Sequence, residues 1–282
     1  MMRALNRTGL VALVIAAAAC ADPTGPRVPT PQLNVVQASA PPVMVYHATT
    51  PGRHRVIVWA HAGGWHSGLA TLSPSSPART FNAEGFTVVS VDYALSTAAT
   101  WPRQGEDMRA AVAWIRAHQD SLGVDATRIA VWGFSAGAHL AAWTGARCVV
   151  ADECVQAVVT WSAPTDLRMI DNDLIKQGCT RRASDPLSPE ARLLGAVPAL
   201  SPWTSDASPV ARVDATAAPH IIFHGLSDCT VPVAQAGRLA VALKNAGVPV
   251  QRYQYKTGHL QTVFASDSAM ARVRAFLNLH LP

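Results

Sequence analysis

The chain has 282 residues, of which 49% are hydrophobic, and its formal net charge at pH 7 is +5. The 23 Lys and Arg residues form no cluster, so the charge pattern gives no support to nucleic-acid binding. The hydrophobic residues fall in separate runs without an internal repeat, which is typical of a chain that buries a large core in a single domain.

The first 20 residues have the layout of a secretory signal. Arg3 and Arg7 precede the apolar run 10–19, which is too short for an ordinary membrane span. The tetrapeptide that ends at Cys20 is similar to a bacterial lipobox, and we expect lipidation of Cys20 in preference to simple cleavage. The protein would then be exported to the periplasm or the extracellular space and attached to a membrane through its lipid. Residues 21–42 contain prolines throughout and are expected to form an extended tether.

Segments typical of strands and of helices alternate from Arg55 to the C-terminus. Apolar, β-branched runs indicate strands, and amphipathic stretches that end near glycines indicate helices. This alternation predicts an α/β fold with a doubly wound, mostly parallel sheet that is covered on both faces. We predict strands at 55–60, 86–93, 128–132, 155–161, 219–225 and 250–255, and helices at 101–122, 136–145 and 233–246.

The pentapeptide Gly133-Phe134-Ser135-Ala136-Gly137 lies between a predicted strand and a predicted helix. A sharp turn at this point would hold the Ser135 hydroxyl clear of the sheet, beside the first amides of the helix. The two glycines leave room where the strand and the helix nearly touch. The context therefore predicts that Ser135 is a nucleophile.

The loop His61-Ala62-Gly63-Gly64-Trp65 follows the strand at 55–60. Together with the turn at Ser135, this loop resembles the α/β-hydrolase superfamily. It is most similar to the carboxylesterase branch with hormone-sensitive-lipase-like, feruloyl and acetyl-xylan esterases. The resemblance covers residues 43–282 and implies an α/β-hydrolase catalytic domain. It also implies that the amides of Gly63, Gly64 and Ala136 form an oxyanion hole, although Ala62 stands where the family usually has glycine. We expect His61 to hold this loop through a hydrogen bond.

Asp228 and His259 follow the last two predicted strands, in the order that the family requires. Asp228 lies in a loop that resembles the G-x-x-D-x-x-V-P acid loop of these enzymes. A serine hydroxyl needs a positioned base, imidazole titrates near neutrality, and a carboxylate fixes the imidazole tautomer. The sequence therefore predicts Ser135, His259 and Asp228 as a catalytic triad.

Other residues compete for these roles. Asp166 also follows a predicted strand and is the alternative acid, although the family resemblance makes it a loop-capping residue. His224 is the nearest rival base, but it lies within a predicted strand and precedes the acid. His139 lies on the helix after Ser135 and is expected to pack.

Residues 164–218 are expected to form a small cap-like insertion between two strands of the sheet. The segment is rich in proline, serine and arginine, and it falls where hydrolases of this type often carry a cap. We expect it to line the acyl pocket, with Trp65 and Trp203 as walls.

Four cysteines follow the export signal: Cys148, Cys154, Cys179 and Cys229. An even number in an exported chain indicates disulfides, and four cysteines allow three connectivities. Cys148 and Cys154 are close enough in sequence to pair, which would leave Cys179 to pair with Cys229.

The sequence thus predicts a serine carboxylic-ester hydrolase that needs no cofactor and acts on small-molecule or polymer-linked esters, with acetyl or feruloyl esters as candidates. A metal hydrolase is disfavoured because the chain has neither H-E-x-x-H nor paired Cys-x-x-Cys spacing. An arylformamidase-like amide hydrolase, a serine peptidase and a non-catalytic binding module on a hydrolase scaffold remain alternatives. The oligomeric state is left open.

Overall fold

The computed structural model describes residues 32–34 and 41–282, and its centre is an eight-stranded sheet. The spatial order is β1-β2-β4-β3-β5-β6-β7-β8, where β1 and β2 run antiparallel to their neighbours and the other pairs are parallel. This topology confirms the predicted doubly wound, mostly parallel α/β fold. The strands are β1 Gln32–Asn34, β2 Val43–Tyr46, β3 His54–Ala60, β4 Phe86–Val91, β5 Val124–Phe134, β6 Ala157–Trp161, β7 His220–Gly225 and β8 Val250–Tyr255.

Helices connect these strands and cover the sheet. The predicted helix at 101–122 is two helices, which meet at His118. Two short 3₁₀ segments lie at Pro77–Glu84 and Ala151–Glu153. The α-helices are α1 Arg103–Ala117, α2 Gln119–Leu122, α3 Ala136–Gly145, α4 Ile170–Lys176, α5 Pro189–Leu194, α6 Pro209–Arg212, α7 Ala234–Asn245, α8 Gln261–Phe264 and α9 Asp267–His280.

The central strands are buried on both faces, which explains why their sequences are continuous apolar runs. On one face, Val58 and Val131 pack with Met108 of α1 and Leu140 of α3. On the other face, three tryptophans pack with the Pro77–Glu84 segment and with α9. These three indoles, Trp59, Trp132 and Trp161, meet edge to face, with ring centroids 4.9 to 6.5 Å apart.

Part of the predicted tether belongs to the sheet. Gln32–Asn34 pairs antiparallel with residues 43–45 as the edge strand β1, whereas we expected 21–42 to hold no regular structure. The physical reason is local, because residues 32–40 contain no proline and so keep the backbone N–H groups that pairing requires. The predicted signal segment 1–20, with Cys20, lies outside the described residues. Within the described residues, no helix is long and apolar enough to cross a membrane.

The segment 164–218 between β6 and β7 carries the three short helices α4, α5 and α6. Some of its apolar side chains, among them Leu167, Leu174 and Leu193, are buried in the same cluster as the sheet residues. The segment is therefore packed onto the main core, and its extent as a cap-like insertion remains a prediction.

Two fully buried histidines make the stability of this fold dependent on pH. His139 lies in α3 and His220 begins β7. Burial lowers the pKa of each imidazole to about 4, although hydrogen bonds to the carbonyls of Ala207 and Ala218 act in the opposite direction. In the unfolded chain the pKa is 6.5, so the unfolded state binds more protons between pH 6.5 and 4. The stabilisation is fully present above pH 6.5 and is lost as the pH falls towards 4.

We therefore expect each histidine to remove about 3 kcal/mol of folding free energy across this interval. Urea unfolding of the wild type and of His220→Gln at several pH values between 4 and 7.5 measures this effect. The variant should lose less stability on acidification than the wild type. Identical pH dependence in the two proteins would contradict the prediction.

Candidate active site

The structure brings Ser135, His259 and Asp228 together at the carboxyl edge of the sheet. They follow β5, β8 and β7, respectively. His259 Nε2 lies 2.9 Å from Ser135 Oγ, and His259 Nδ1 lies 2.7 Å from Asp228 Oδ2. With Nδ1–H donating to the carboxylate, Nε2 is free to accept the hydroxyl proton of Ser135. This chain of hydrogen bonds is the arrangement that activates a serine.

Ser135 occupies a strained turn between β5 and α3. Its φ of 56° and ψ of −119° lie in a region that residues with a side chain rarely adopt. Its amide donates to the carbonyl of Trp161 at 2.8 Å. A Cβ at Gly133 would collide with the backbone of Gly137, and a Cβ at Gly137 would collide with the carbonyl of Ala60. The two glycines therefore let β3, β5 and α3 approach closely enough to form the turn.

The loop after β3 also has positive φ angles, of 121° at Gly63, 58° at Gly64 and 61° at Trp65. The carbonyl of Gly63 accepts hydrogen bonds from the amides of His66 and Ser67, both at 3.1 Å. Within the described residues, the amides of the predicted oxyanion donors Gly63, Gly64 and Ala136 donate to no protein acceptor. Unpaired amides are what an oxyanion hole requires, and this role remains a prediction.

His61, at the start of this loop, has contacts that hold the loop in place. Its ring stacks on Tyr93 with 4.1 Å between centroids, and the Tyr93 hydroxyl donates to the His61 carbonyl at 2.8 Å. His61 Nδ1 donates to the carbonyl of Ala62 at 2.7 Å. Burial lowers the pKa of His61, although this hydrogen bond and the charge of Asp92 act in the opposite direction. The packed imidazole of His61 thus binds the backbone of this loop through a hydrogen bond.

The Asp228 carboxylate is buried and has well-defined partners. Its Oδ1 accepts hydrogen bonds from the amides of Thr230 and Val231, both at 2.9 Å. Burial raises the pKa of this carboxyl, but the hydrogen bond and charge of His259, the amide of Val231 and the charge of His224 together outweigh burial. The pKa therefore lies below its usual value, and the group is ionised when it faces His259.

The competing residues have other partners. Asp166 Oδ1 accepts a hydrogen bond from Arg168 Nε at 3.0 Å, and the Asp166 amide donates to Gln235 Oε1 at 2.7 Å. His224 is buried and donates from Nε2 to the carbonyl of Val231 at 2.9 Å. The same nitrogen lies 3.6 Å from Asp228 Oδ2, so His224 is placed behind the acid and not beside Ser135.

The prediction for Trp65 as a pocket wall needs correction. Its side chain is only 2% exposed, and its Nε1 donates to His139 Nδ1 at 3.2 Å. His139 in turn donates from Nε2 to the carbonyl of Ala207 at 2.6 Å. The indole is thus fixed in the core because its N–H has a buried acceptor there. Trp203 is 42% exposed, and its neighbours Ser201, Pro202 and Thr204 line a cavity of about 420 Å³.

The structure contains the disulfides Cys148–Cys154 and Cys179–Cys229. The first closes a short loop after α3, over a sequence separation of 6 residues. The second spans 50 residues and joins the segment 164–218 to the residue that follows Asp228. Within the described residues, no group of three or more His, Cys, Asp and Glu residues could hold a metal ion.

Several contacts of the site were not predicted. The ring of Phe134 lies 4.8 Å from the ring of His259, and Gln177 and Arg181 bind the backbone of the acid loop. The position of Phe134 next to the catalytic site could have been predicted, because Phe134 directly precedes Ser135 in the pentapeptide 133–137. The contacts of Gln177 and Arg181 could not, because these residues lie about 50 positions away from the loop that they contact.

A sheet of this order, with a serine on a strained turn and with Asp228 and His259 at the same edge, defines the α/β-hydrolase class. The chain belongs to the BD-FAE family, whose sequence model matches residues 44–243. It is 31% identical over 200 residues to Esterase LipC of Mycobacterium tuberculosis, an alignment that covers 64% of this chain and 46% of the relative. The chain therefore spans less than half of the length of that relative.

Solved structures share the fold. A truncated carbohydrate esterase from gut microbiota superimposes with a TM-score of 0.78 at 23% identity, covering 90% of this chain and 96% of the other. An acetyl ester-xyloside bifunctional hydrolase from Caldicellulosiruptor lactoaceticus superimposes with a TM-score of 0.66 at 21% identity, covering 86% of each chain.

Replacing Asp228 or Asp166 with asparagine tests which of the two carboxylates orients His259. Asp228→Asn should lower kcat by about 10⁴-fold, because an amide cannot stabilise the imidazolium and favours the wrong tautomer. Asp166→Asn, the matched control, should change kcat far less. Steady-state kinetics and thermal unfolding of both variants measure this difference. A larger loss of kcat in Asp166→Asn would overturn the assignment of the acid.

The two disulfides should differ in their effects. Loop entropy gives about 4 kcal/mol of stabilisation for Cys179–Cys229 and about 2 kcal/mol for Cys148–Cys154. Replacing Cys179 and Cys229 with serine should lower both stability and kcat, because Cys229 adjoins Asp228. Replacing Cys148 and Cys154 should lower stability alone. Unfolding curves and kinetics decide this, and an unchanged kcat in a folded Cys179→Ser/Cys229→Ser variant would contradict the prediction.

Proposed function

We propose that this protein is a serine carboxylesterase in which Ser135, His259 and Asp228 form the catalytic triad. The observation that carries the proposal is the continuous set of hydrogen bonds from Ser135 Oγ through the His259 ring to Asp228, at 2.9 and 2.7 Å. Membership of the BD-FAE family and the esterase relative support the same activity.

The geometry supports a two-step reaction. Ser135 Oγ attacks the ester carbonyl carbon while His259 Nε2 takes the hydroxyl proton, and Asp228 stabilises the imidazolium. The carbonyl oxygen becomes an oxyanion that the amides of Gly63, Gly64 and Ala136 would bind. Collapse of this intermediate breaks the bond to the alcohol, which leaves with the proton from His259. Water activated by His259 then attacks the acyl-enzyme, and the carboxylic acid is released with Ser135 restored.

An acetyl or feruloyl ester of a carbohydrate is the substrate class that we favour. An open cleft of about 320 Å³ adjoins the oxyanion loop at His61 and Ala62 and the residue Gln261, two positions after His259. The hydroxyl side chains of Ser73 and Ser75 line the same cleft. A polar, open cleft suits an alcohol group that carries many hydroxyls. The names of the carbohydrate esterase and of the acetyl ester-xyloside hydrolase with this fold support the same class.

We further propose that residues 43–282 are the catalytic domain of an exported protein, with 164–218 as its cap-like insertion. The two disulfides support this location, because such bonds persist in oxidising compartments. Lipidation at Cys20 remains part of the proposal, and metabolic labelling with a fatty acid, compared between the wild type and Cys20→Ala, tests it.

Fluorophosphonate labelling tests the nucleophile. The wild type should gain one adduct at Ser135, and Ser135→Ala should lose activity by about 10⁴- to 10⁶-fold while keeping its thermal stability. Peptide mapping by mass spectrometry locates the adduct. Absence of any adduct in the folded wild type would favour a non-catalytic binding module, and near-normal turnover by Ser135→Ala would exclude this serine.

A substrate panel separates the remaining classes of hydrolase. We expect hydrolysis of p-nitrophenyl acetate and of acetylated xylan or feruloyl esters. A kcat/KM that is higher for N-formylkynurenine or for a peptide anilide than for all esters would instead identify an amide hydrolase or a peptidase.

A further inference from the structure

Two side chains of the cap-like insertion hold the backbone of the loop that carries Asp228. Gln177 Nε2 donates to the Asp228 carbonyl at 2.6 Å, and Gln177 Oε1 accepts from the amide of Val233 at 2.9 Å. Arg181 donates from Nε and Nη2 to the carbonyl of Thr230, at 3.0 and 2.8 Å. The insertion therefore determines where this loop lies, in addition to the disulfide at Cys229.

The peptide groups of Thr230 connect Arg181 to the acid itself. The Thr230 amide donates to Asp228 Oδ1 at 2.9 Å, while the Thr230 carbonyl accepts from Arg181. If the Thr230 carbonyl moves, the Thr230 amide moves too. The Asp228 carboxylate, which this amide orients, then changes its position. Arg181 thus influences the position of the Asp228 carboxylate through Thr230.

Arg181 also binds Glu190 on α5 with two parallel hydrogen bonds. The Nη1–Oε2 distance is 2.9 Å, the Nη2–Oε1 distance is 2.6 Å, and the Glu190 side chain is only 3% exposed. A buried carboxylate needs such a partner, and the planar guanidinium fixes both the distance and the direction of the pair. Pro189, the residue before Glu190, lies against the oxyanion loop, where a Cβ added at Gly64 would stand 3.3 Å from Pro189 Cβ.

We infer that Arg181 is a positioning residue that holds the acid loop and the oxyanion loop in register. One guanidinium joins Thr230 of the acid loop to Glu190 of α5, and α5 begins against Gly64. This inference rests on the proposed function, because it gives Arg181 a role in the same reaction. Catalytic groups must be held within about 0.5 Å of their productive positions, so a single rigid link between the two loops has kinetic consequences.

Arg181→Met and Arg181→Lys test the inference. Methionine keeps the length of the side chain but removes every donor, whereas lysine keeps the charge without the planar fork. On p-nitrophenyl acetate, Arg181→Met should lower kcat by about 10- to 100-fold with little change in KM, because the acid and the oxyanion donors are misplaced by a fraction of an ångström. Arg181→Lys should recover part of that loss.

Arg274→Met is the control for the loss of a bidentate pair, since Arg274 donates two parallel hydrogen bonds of 2.7 and 2.8 Å to Glu84, which lies outside both loops. It should keep the wild-type kcat. Arg181→Met/Glu190→Leu separates positioning from stability, because it removes the buried carboxylate together with its partner. This double variant should regain thermal stability and keep a low kcat.

A folded Arg181→Met with wild-type kcat, or a double variant that regains kcat together with stability, would overturn the inference alone. Absence of fluorophosphonate labelling at Ser135 in the wild type would overturn the proposed function, and the inference with it.

Discussion

The buried carboxylate of Asp228 is the group around which the rest of the site is arranged. Removing a carboxylate from water is costly, and here two amides of its own loop and the imidazole of His259 offset that cost. Each of these partners also fixes a direction. The amides orient the carboxylate, the carboxylate orients the His259 ring, and the ring presents Nε2 to Ser135. In the proposed reaction, the reactivity of Ser135 would therefore depend on the loop that follows β7.

The sheet provides the other half of this arrangement through close backbone contact. Gly133 and Gly137 let the backbones of β5 and α3 approach β3 closely, so that Ser135 lies near the loop 61–65 that follows β3. The strain at Ser135 is maintained by the buried elements on either side of the turn. The imidazole of His61, which stacks on Tyr93, supports the loop 61–65 and restricts its movement.

Much of this fold and site could be predicted from the sequence, because the relevant signals are local. The parallel strands are buried on both faces and so appear as continuous apolar runs, and the amphipathic segment predicted as a helix at 101–122 contains α1. The strands β1 and β2 were not predicted, since they are only 3 and 4 residues long. Trp65 was assigned to a pocket because its buried acceptor on His139, 74 positions away, leaves no trace in the local sequence. Gln177 and Arg181 were missed for the same reason.

The contacts between the segment 164–218 and the loop that carries Asp228 have a consequence for how this scaffold can evolve. Connections between strands tolerate sequence change and often carry binding residues. Here the segment 164–218 also supplies a hydrogen-bonding amide, a guanidinium and a cysteine to the loop beside Asp228. A graft that replaced the whole segment would change selectivity and weaken catalysis at once. Chimaeras with relatives are therefore expected to stay active when residues 177, 179 and 181 come from the same parent as the loop 228–233.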